Sequence, residues 1–189
     1  MPKKLDLWLS YLNGLFEGDE DKVKKLRAFF RSTIYGGDRR ILILSGGAGK
    51  TTVINVLSGI VGEGSVVRYT PSQIHNPFYV FESVGKSLNI TWLKTKRGLP
   101  GFVGFLKSYH AGEKLCGEIR GLGSVSCKPT ANIVVESSLS AGVPAEDAPD
   151  RRFQRLDFTK PGKLNPKFYD CFNNSHAVIK WWALGGGDA

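Results

Sequence analysis

Several kinds of chemistry have almost no foothold in this sequence. Its 189 residues include only three cysteines, Cys116, Cys127 and Cys171, and none lies in a C-x-x-C pair. Structural zinc sites commonly use such pairs, so none is expected. An odd cysteine count with no secretory leader suits a reducing compartment and a protein that is not secreted. The apolar start Leu5-Asp6-Leu7-Trp8-Leu9 is interrupted by Asp6, Ser10 and Asn13, which excludes it as a leader core. No apolar run is long enough to cross a bilayer, so no membrane partner is expected. No internal repeat is visible. Acidic residues are outnumbered, 17 Asp and Glu against 26 Lys and Arg, giving a net charge of +9 and a pI near 9.5. Such an excess favours a polyanionic partner such as nucleic acid, although a merely basic surface has the same composition.

What is present is ordinary globular material, 41% hydrophobic and 23% charged, enough for one domain with a real core and small additions at its ends. The informative stretch is Leu44-Ser45-Gly46-Gly47-Ala48-Gly49-Lys50-Thr51-Thr52, directly after Ile41-Leu42-Ile43-Leu44. A buried strand feeds a glycine-rich loop, and the loop feeds the helical run Val53-Ile54-Asn55-Val56-Leu57. That order builds a phosphate cradle, with inward backbone N–H groups and the positive end of a helix dipole. Ser45, Gly46, Gly47, Ala48, Gly49, Lys50, Thr51 and Thr52 are the candidate nucleotide-binding residues. Lys50 would reach the β- and γ-phosphates of ATP, and the Thr51 hydroxyl would hold Mg²⁺. Leu44 stands where the pattern G-x-x-x-x-G-K-[ST] has its first glycine.

Around this loop the periodicities predict an alternating order of strands and helices. Leu5, Trp8, Leu9, Leu12, Leu15 and Phe16 repeat at helical spacing, and Val23, Leu26, Phe30 and Ile34 form a second stripe after the N-cap candidate Asp19. Strands are expected at residues 41–44, 65–69, 87–93, 132–136 and 153–158. A short helix is expected around Phe102 to Leu106, a hairpin across residues 113–128, and helix from Phe168 to Leu184. The aromatics Trp8, Phe29, Phe30, Phe102, Phe105, Trp181 and Trp182 read as core rather than as base-stacking platforms. Cys116 and Cys127 could face each other across the hairpin, with small apolar thiols as the plainer reading. Strands alternating with helices imply a largely parallel α/β sheet.

The order of motifs resembles superfamily 3 helicases, the ring-forming AAA+ motors of viruses, phages and plasmids, and is similar to the helicase module of their primase–helicases. Beyond the loop, the resemblance is carried by Phe16-Glu17-Gly18-Asp19-Glu20-Asp21, by Phe105-Leu106-Lys107 and by the glycine-bearing hairpin. It continues in residues 128–135 and in Asp147-Ala148-Pro149-Asp150-Arg151-Arg152-Phe153-Gln154-Arg155-Leu156-Asp157-Phe158. It ends in His176-Ala177-Val178-Ile179-Lys180-Trp181-Trp182-Ala183-Leu184-Gly185. The resemblance implies a three-layer P-loop AAA+ core (residues 38–160), a small N-terminal helical subdomain (1–37) and a C-terminal helical segment (161–189). It implies ATP and Mg²⁺ as cofactors, a homo-oligomeric ring (a hexamer in the family) and single-stranded DNA as partner; the sequence shows no primase domain, so a separate primase or polymerase is expected as a further partner. The expected place of work is the cytoplasm or a host-cell replication site.

Two departures bear on chemistry. The family carries carboxylates at the end of the second core strand, but here that strand ends Ile90-Thr91-Trp92-Leu93-Lys94. Its sensor asparagine falls near Ser138, and serine cannot span what an amide spans. Glu136, on the neighbouring strand, is a candidate replacement for the missing carboxylate; an ordinary carboxylate paired with a nearby cation is the alternative. Arg151 and Arg152 match the pair from which the family takes an arginine finger acting in a neighbouring subunit, or they satisfy Asp147 and Asp150 locally. The family's pore residue falls at Arg120, with Lys114 and Lys128 in support. Lys86, Lys94, Lys96, Arg97 and Lys107 extend a basic strip opposed only by Glu113 and Glu118. Two functional readings follow. One is an ATP-driven, DNA-unwinding ring. The other is a non-hydrolysing nucleotide-binding scaffold, favoured by the absent carboxylate. A small-molecule kinase fits the basic strip and the Arg-Arg segment poorly. Under the pore reading, Arg120→Ala should weaken single-strand binding and flatten the slope of log affinity against log salt by about one unit; a titration at several salt concentrations reads both.

Overall fold

The computed structural model describes residues 2–36, 38–73, 82–94, 99–119, 121, 123–137, 153–158, 171–172 and 174–186. Helix α1 (Pro2–Phe16) buries Trp8, Tyr11, Leu12, Leu15 and Phe16 on its apolar stripe. Helix α2 (Glu20–Tyr35) starts as its sequence predicts: the Asp19 side chain accepts from the Lys22 backbone N–H at 3.1 Å. Glu20 and Asp21 fill the first turn, where the dipole favours negative charge. Gly36 closes the helix, its N–H donating to Ser32 O.

The chain then forms β1 (Ile41–Gly46), α3 (Lys50–Val61) and, after a one-turn 3-10 segment (Glu63–Ser65), β2 (Val66–Tyr69). It continues through β3 (Leu88–Leu93), α4 (Leu99–Ala111), the hairpin β4 (Leu115–Ile119) and β5 (Gly123–Cys127), β6 (Asn132–Ser137), β7 (Phe153–Phe158) and α5 (His176–Ala183). Five strands make one sheet in the order β2-β3-β6-β1-β7, and every neighbouring pair is parallel. Parallel strands covered on both faces read as near-continuous apolar runs, which is why Ile41 to Leu44 and Ile133 to Val135 carry no polar interruption. One face, through Leu42, Leu44, Ile90, Val134, Leu156 and Phe158, shares a core with α1, α2, α3 and α5. The other, through Ile41, Ile43, Ile133 and Val135, packs on Phe102, Leu106 and Tyr109 of α4. The result is three layers: helices, sheet, helix.

Aromatic rings lock the helical layer together. Trp8 sits with its ring centroid 5.7 Å from Tyr11, 5.3 Å from Phe172 and 5.9 Å from Trp182. Arg27 of α2 lies over the Trp182 ring and donates through Nε to Trp182 O at 2.8 Å, placing a cation at the C-terminus of α5. Trp181 departs from the expected core role, being 53% exposed. Consecutive residues on a helix point 100° apart, so α5 buries Trp182 and turns Trp181 outward.

Other expectations shift for similar geometric reasons. The helix expected around Phe102 to Leu106 is longer than predicted, α4 running for 13 residues. Within residues 168–184 the described helix is Cys171–Phe172 and α5 alone. In β7 the buried residues Leu156 and Phe158 share one face, whereas Phe153 belongs to the core on the other. The hairpin register sets Cys116 opposite Ser126 and Cys127 opposite Leu115. The two thiols are therefore one step out of phase and lie on opposite faces, and Cys116 is exposed rather than packed.

One buried amide ties α2 to the amino edge of the sheet. Asn132 Oδ1 accepts from the Arg40 N–H at 2.7 Å, while Nδ2 donates to Ser32 Oγ at 2.6 Å and to Thr33 Oγ1 at 2.9 Å. Replacing Asn132 by leucine leaves these groups without their partner. Asn132→Leu is therefore expected to cost about 2–4 kcal/mol, seen as a lower urea midpoint with an unchanged m-value.

Candidate functional site

Because the five strands are parallel, their carboxyl ends line one edge, the edge at which open α/β sheets hold ligands. β1 lies between β6 and β7, so the loop that leaves it at Gly46 emerges between Glu136 on one side and Phe158 on the other. Two glycines allow the loop its path. Gly46 has φ +83° and a Cβ there would collide with Phe158 O; Gly49 has φ +101° and a Cβ would meet Leu15 Cδ1 at 2.6 Å. The Gly47 N–H donates to Phe158 O at 2.7 Å, pinning the loop to the end of β7. Tyr11 of α1 donates its hydroxyl proton to Gly49 O at 3.3 Å.

Gly49 is the N-cap of α3 and supplies no side-chain cap. The first-turn N–H groups are thus left for a ligand or water. Lys50 is only 9% exposed, and its ammonium donates to Gly46 O at 2.7 Å and Gly47 O at 2.5 Å. The charge is thereby folded into the loop rather than spread over the surface. Thr51 faces solvent and donates through Oγ1 to Glu136 Oε1 at 3.1 Å. Thr52 is buried, and its hydroxyl has no partner among the described residues. An ammonium, a free helix start, a hydroxyl and an orphaned buried oxygen within one turn are a donor set that fits a phosphate chain with its cation. Among the described residues no cluster of three or more His, Cys, Asp or Glu could hold a metal by itself.

Beneath the loop, on the α4 side of the sheet, Ser45 donates its hydroxyl proton to Asp157 Oδ1. Arg155 Nε donates to the same carboxylate at 2.8 Å and to Ser45 Oγ at 3.1 Å. The Ser45 side chain is thus committed to β7. Burial pushes the Asp157 carboxyl up, but the Ser45 and Arg155 hydrogen bonds and the positive charges of Arg155 and Lys22 outweigh it. The net result lies below the usual carboxylate range. Sequence reasoning missed Asp157, Arg155 and Tyr11 as supports of the loop. Arg155 and Asp157 do share a face by strand alternation, but only the register pairing Ser45 with Asp157 reveals what they hold.

The other predicted residues divide by location. Lys114 and Lys128 are exposed and flank the Leu115–Cys127 pair at the base of the hairpin. Arg120, Ser138, Arg151 and Arg152 lie outside the described residues, as do Lys96 and Arg97. The hairpin springs from the amino edge: α4 returns there, with His110 Nδ1 2.9 Å from Arg39 O just before β1. A six-residue strand, about 20 Å, therefore separates the glycine-rich loop from the hairpin base.

No protein-family model and no curated protein matches this chain. Solved structures do. The chain is similar to the apo structure of the NrS-1 C-terminal region (305–718), at 19% identity and a TM-score of 0.76, covering 100% of this chain and 47% of that one. It is also similar to the A-form apo structures of the same region. One is 18% identical, with a TM-score of 0.75 and 98% and 45% of the two chains covered. The other is 21% identical, with a TM-score of 0.70 and 100% and 46% covered. The chain spans less than half the length of these neighbours, and at such identities the likeness concerns the fold. The class so defined is an α/β protein with a five-stranded parallel sheet, consistent with the nucleotide-binding α/β folds. No helix among the described residues is long and apolar enough to cross a membrane.

An acid-stability prediction follows from the pair under the loop. A carboxyl held below its unfolded value contributes stability above that value, about pH 3.9, and loses the contribution as pH falls through the folded value. Asp157→Asn should therefore lose less stability than wild type on acidification from roughly pH 5 to pH 2, measured by denaturant titration at each pH.

Proposed function

We propose that this chain is a P-loop ATPase core of the superfamily 3, AAA+ type. It binds ATP with Mg²⁺ at subunit interfaces of a homo-oligomeric ring and acts on single-stranded DNA during replication of a viral, phage or plasmid genome. The observation that carries the reading is the strand–loop–helix at the carboxyl edge. There Lys50 is buried in the loop and Thr51 opens a helix with no side-chain cap. The sheet order supports it: counted along the parallel strands alone, the order is second, third, fourth, first, fifth.

In this reading the α3 first-turn N–H groups and the Lys50 ammonium hold the β- and γ-phosphates. An anion that offers oxygens to Lys50 replaces the carbonyls of Gly46 and Gly47 that the ammonium now contacts. Bound Mg²⁺ supplies charge neutralisation on the transferred phosphoryl group. Arg151 or Arg152, just before β7, provides the finger for a neighbouring subunit, and Ser138, just after β6, stands at the sensor position. Lys114 and Lys128, at the opposite edge, grip the DNA backbone together with Arg120, so force must cross the sheet. A primase or polymerase is the natural partner, at a host-cell replication site.

A second reading is favoured by one specific feature. β3 ends Trp92-Leu93 and Lys94 follows, with no carboxylate, as in a non-hydrolysing nucleotide-binding scaffold. Steady-state ATP hydrolysis with and without single-stranded DNA separates the two. The motor predicts turnover that DNA stimulates and Lys50→Ala reduces by at least about a hundredfold. Tight ATP binding with no turnover in the assembled ring supports the scaffold, and failure to bind ATP at all rejects both.

A further inference from the structure

We propose that the carboxylate serving the cation of the nucleotide site comes from β6 rather than β3. Thr51 and Glu136 form a divalent-cation site, an assignment that rests on the nucleotide reading above. Glu136 is the penultimate residue of β6 and is paired laterally with Leu44 of β1 and Trp92 of β3. It therefore stands at the end of the strand adjoining the one that launches the loop. A residue at the end of β3 is one strand further away, about 4.8 Å more, and there the chain offers Trp92, Leu93 and Lys94.

The contact itself has the right polarity. A hydroxyl has one proton and two lone pairs. The Thr51 proton points to Glu136 Oε1 at 3.1 Å, so the oxygen's lone pairs remain for a cation. Glu136 keeps its second oxygen to accept a hydrogen bond from cation-bound water. Mg²⁺ suits such a place because it retains several waters and takes one or two protein oxygens alongside phosphate oxygens. Charge makes the same demand. A carboxylate at the mouth of a phosphate cradle repels a polyphosphate unless a cation lies between them. Among the described residues, the carboxylate is engaged by Thr51 and not by a lysine or arginine.

The test measures binding, not turnover. Calorimetric titrations of a non-hydrolysable ATP analogue into the full chain are run with Mg²⁺ and with chelator, for wild type, Glu136→Gln and Glu136→Asp. Wild type binds more tightly with Mg²⁺. Glu136→Gln loses roughly 10- to 100-fold of that enhancement, yet binds the metal-free analogue as tightly as wild type or more so, because a repelling charge has gone. Glu136→Asp keeps part of the enhancement, which separates loss of the charge from disturbance of β6. An enhancement in Glu136→Gln equal to wild type overturns the cation site while leaving nucleotide binding intact. Failure of wild type to bind the analogue under either condition removes the nucleotide reading, and the cation site with it.

Discussion

The position of β1 between β6 and β7 is the constraint on which everything at the loop depends. β1 is buried on both faces and hydrogen-bonded on both edges, so its end cannot drift. Whatever leaves it must pass between the last residues of its neighbours. The Gly47 N–H bond to Phe158 O and the close approach of Gly46 to the same carbonyl are consequences of that passage. A phosphate cradle works only if its N–H groups are held in place before the anion arrives, because ordering a loose loop costs about 1–2 kcal/mol per residue. Here the ordering is met in advance by the sheet on one side and by Tyr11 and Leu15 of α1 on the other.

Charge is distributed in the same architecture. Lys50 and the start of α3 bring positive charge to the carboxyl edge, while Glu136 and Asp157 stand on either side of it. The two carboxylates are not equivalent. Asp157 is neutralised by Arg155 and lies on the α4 face, where it braces Ser45. Glu136 meets a hydroxyl at the solvent-facing start of α3. One is a structural anion, and the other is placed where a cation and its waters can reach. The basic hairpin base lies a strand's length away at the amino edge. A molecule that acts on DNA there and on ATP at the loop must transmit through the sheet. β6 is the direct route, since it starts near the hairpin and ends at Glu136 and Ser137.

Much of this was legible in the sequence. The glycine-rich loop after an apolar strand, the Asp19 cap, the two N-terminal helices and the hairpin all follow from local spacing, and the structure has them where spacing puts them. Local spacing failed where the answer depended on phase or on partners. Trp181 and Trp182 are both bulky and apolar, and only the rotation of α5 against α1 and α2 decides which is buried. Cys116 and Cys127 are symmetric about a glycine-bearing turn, and only the ladder register shows them to be out of phase. Asn132 reads as an isolated polar residue at a strand start, yet it joins α2, β1 and β6.

The amino-acid order alone determined that a strand, a glycine-rich loop and a helix occur in succession, because those signals act over a few residues and need no distant partner. Which carboxylate faces Thr51, and which one is spent on Ser45, was decided only by the folded sheet. A parallel sheet sets side by side residues that the chain separates widely, as Leu44 and Glu136 are, and strand order is a global choice that no local pattern encodes.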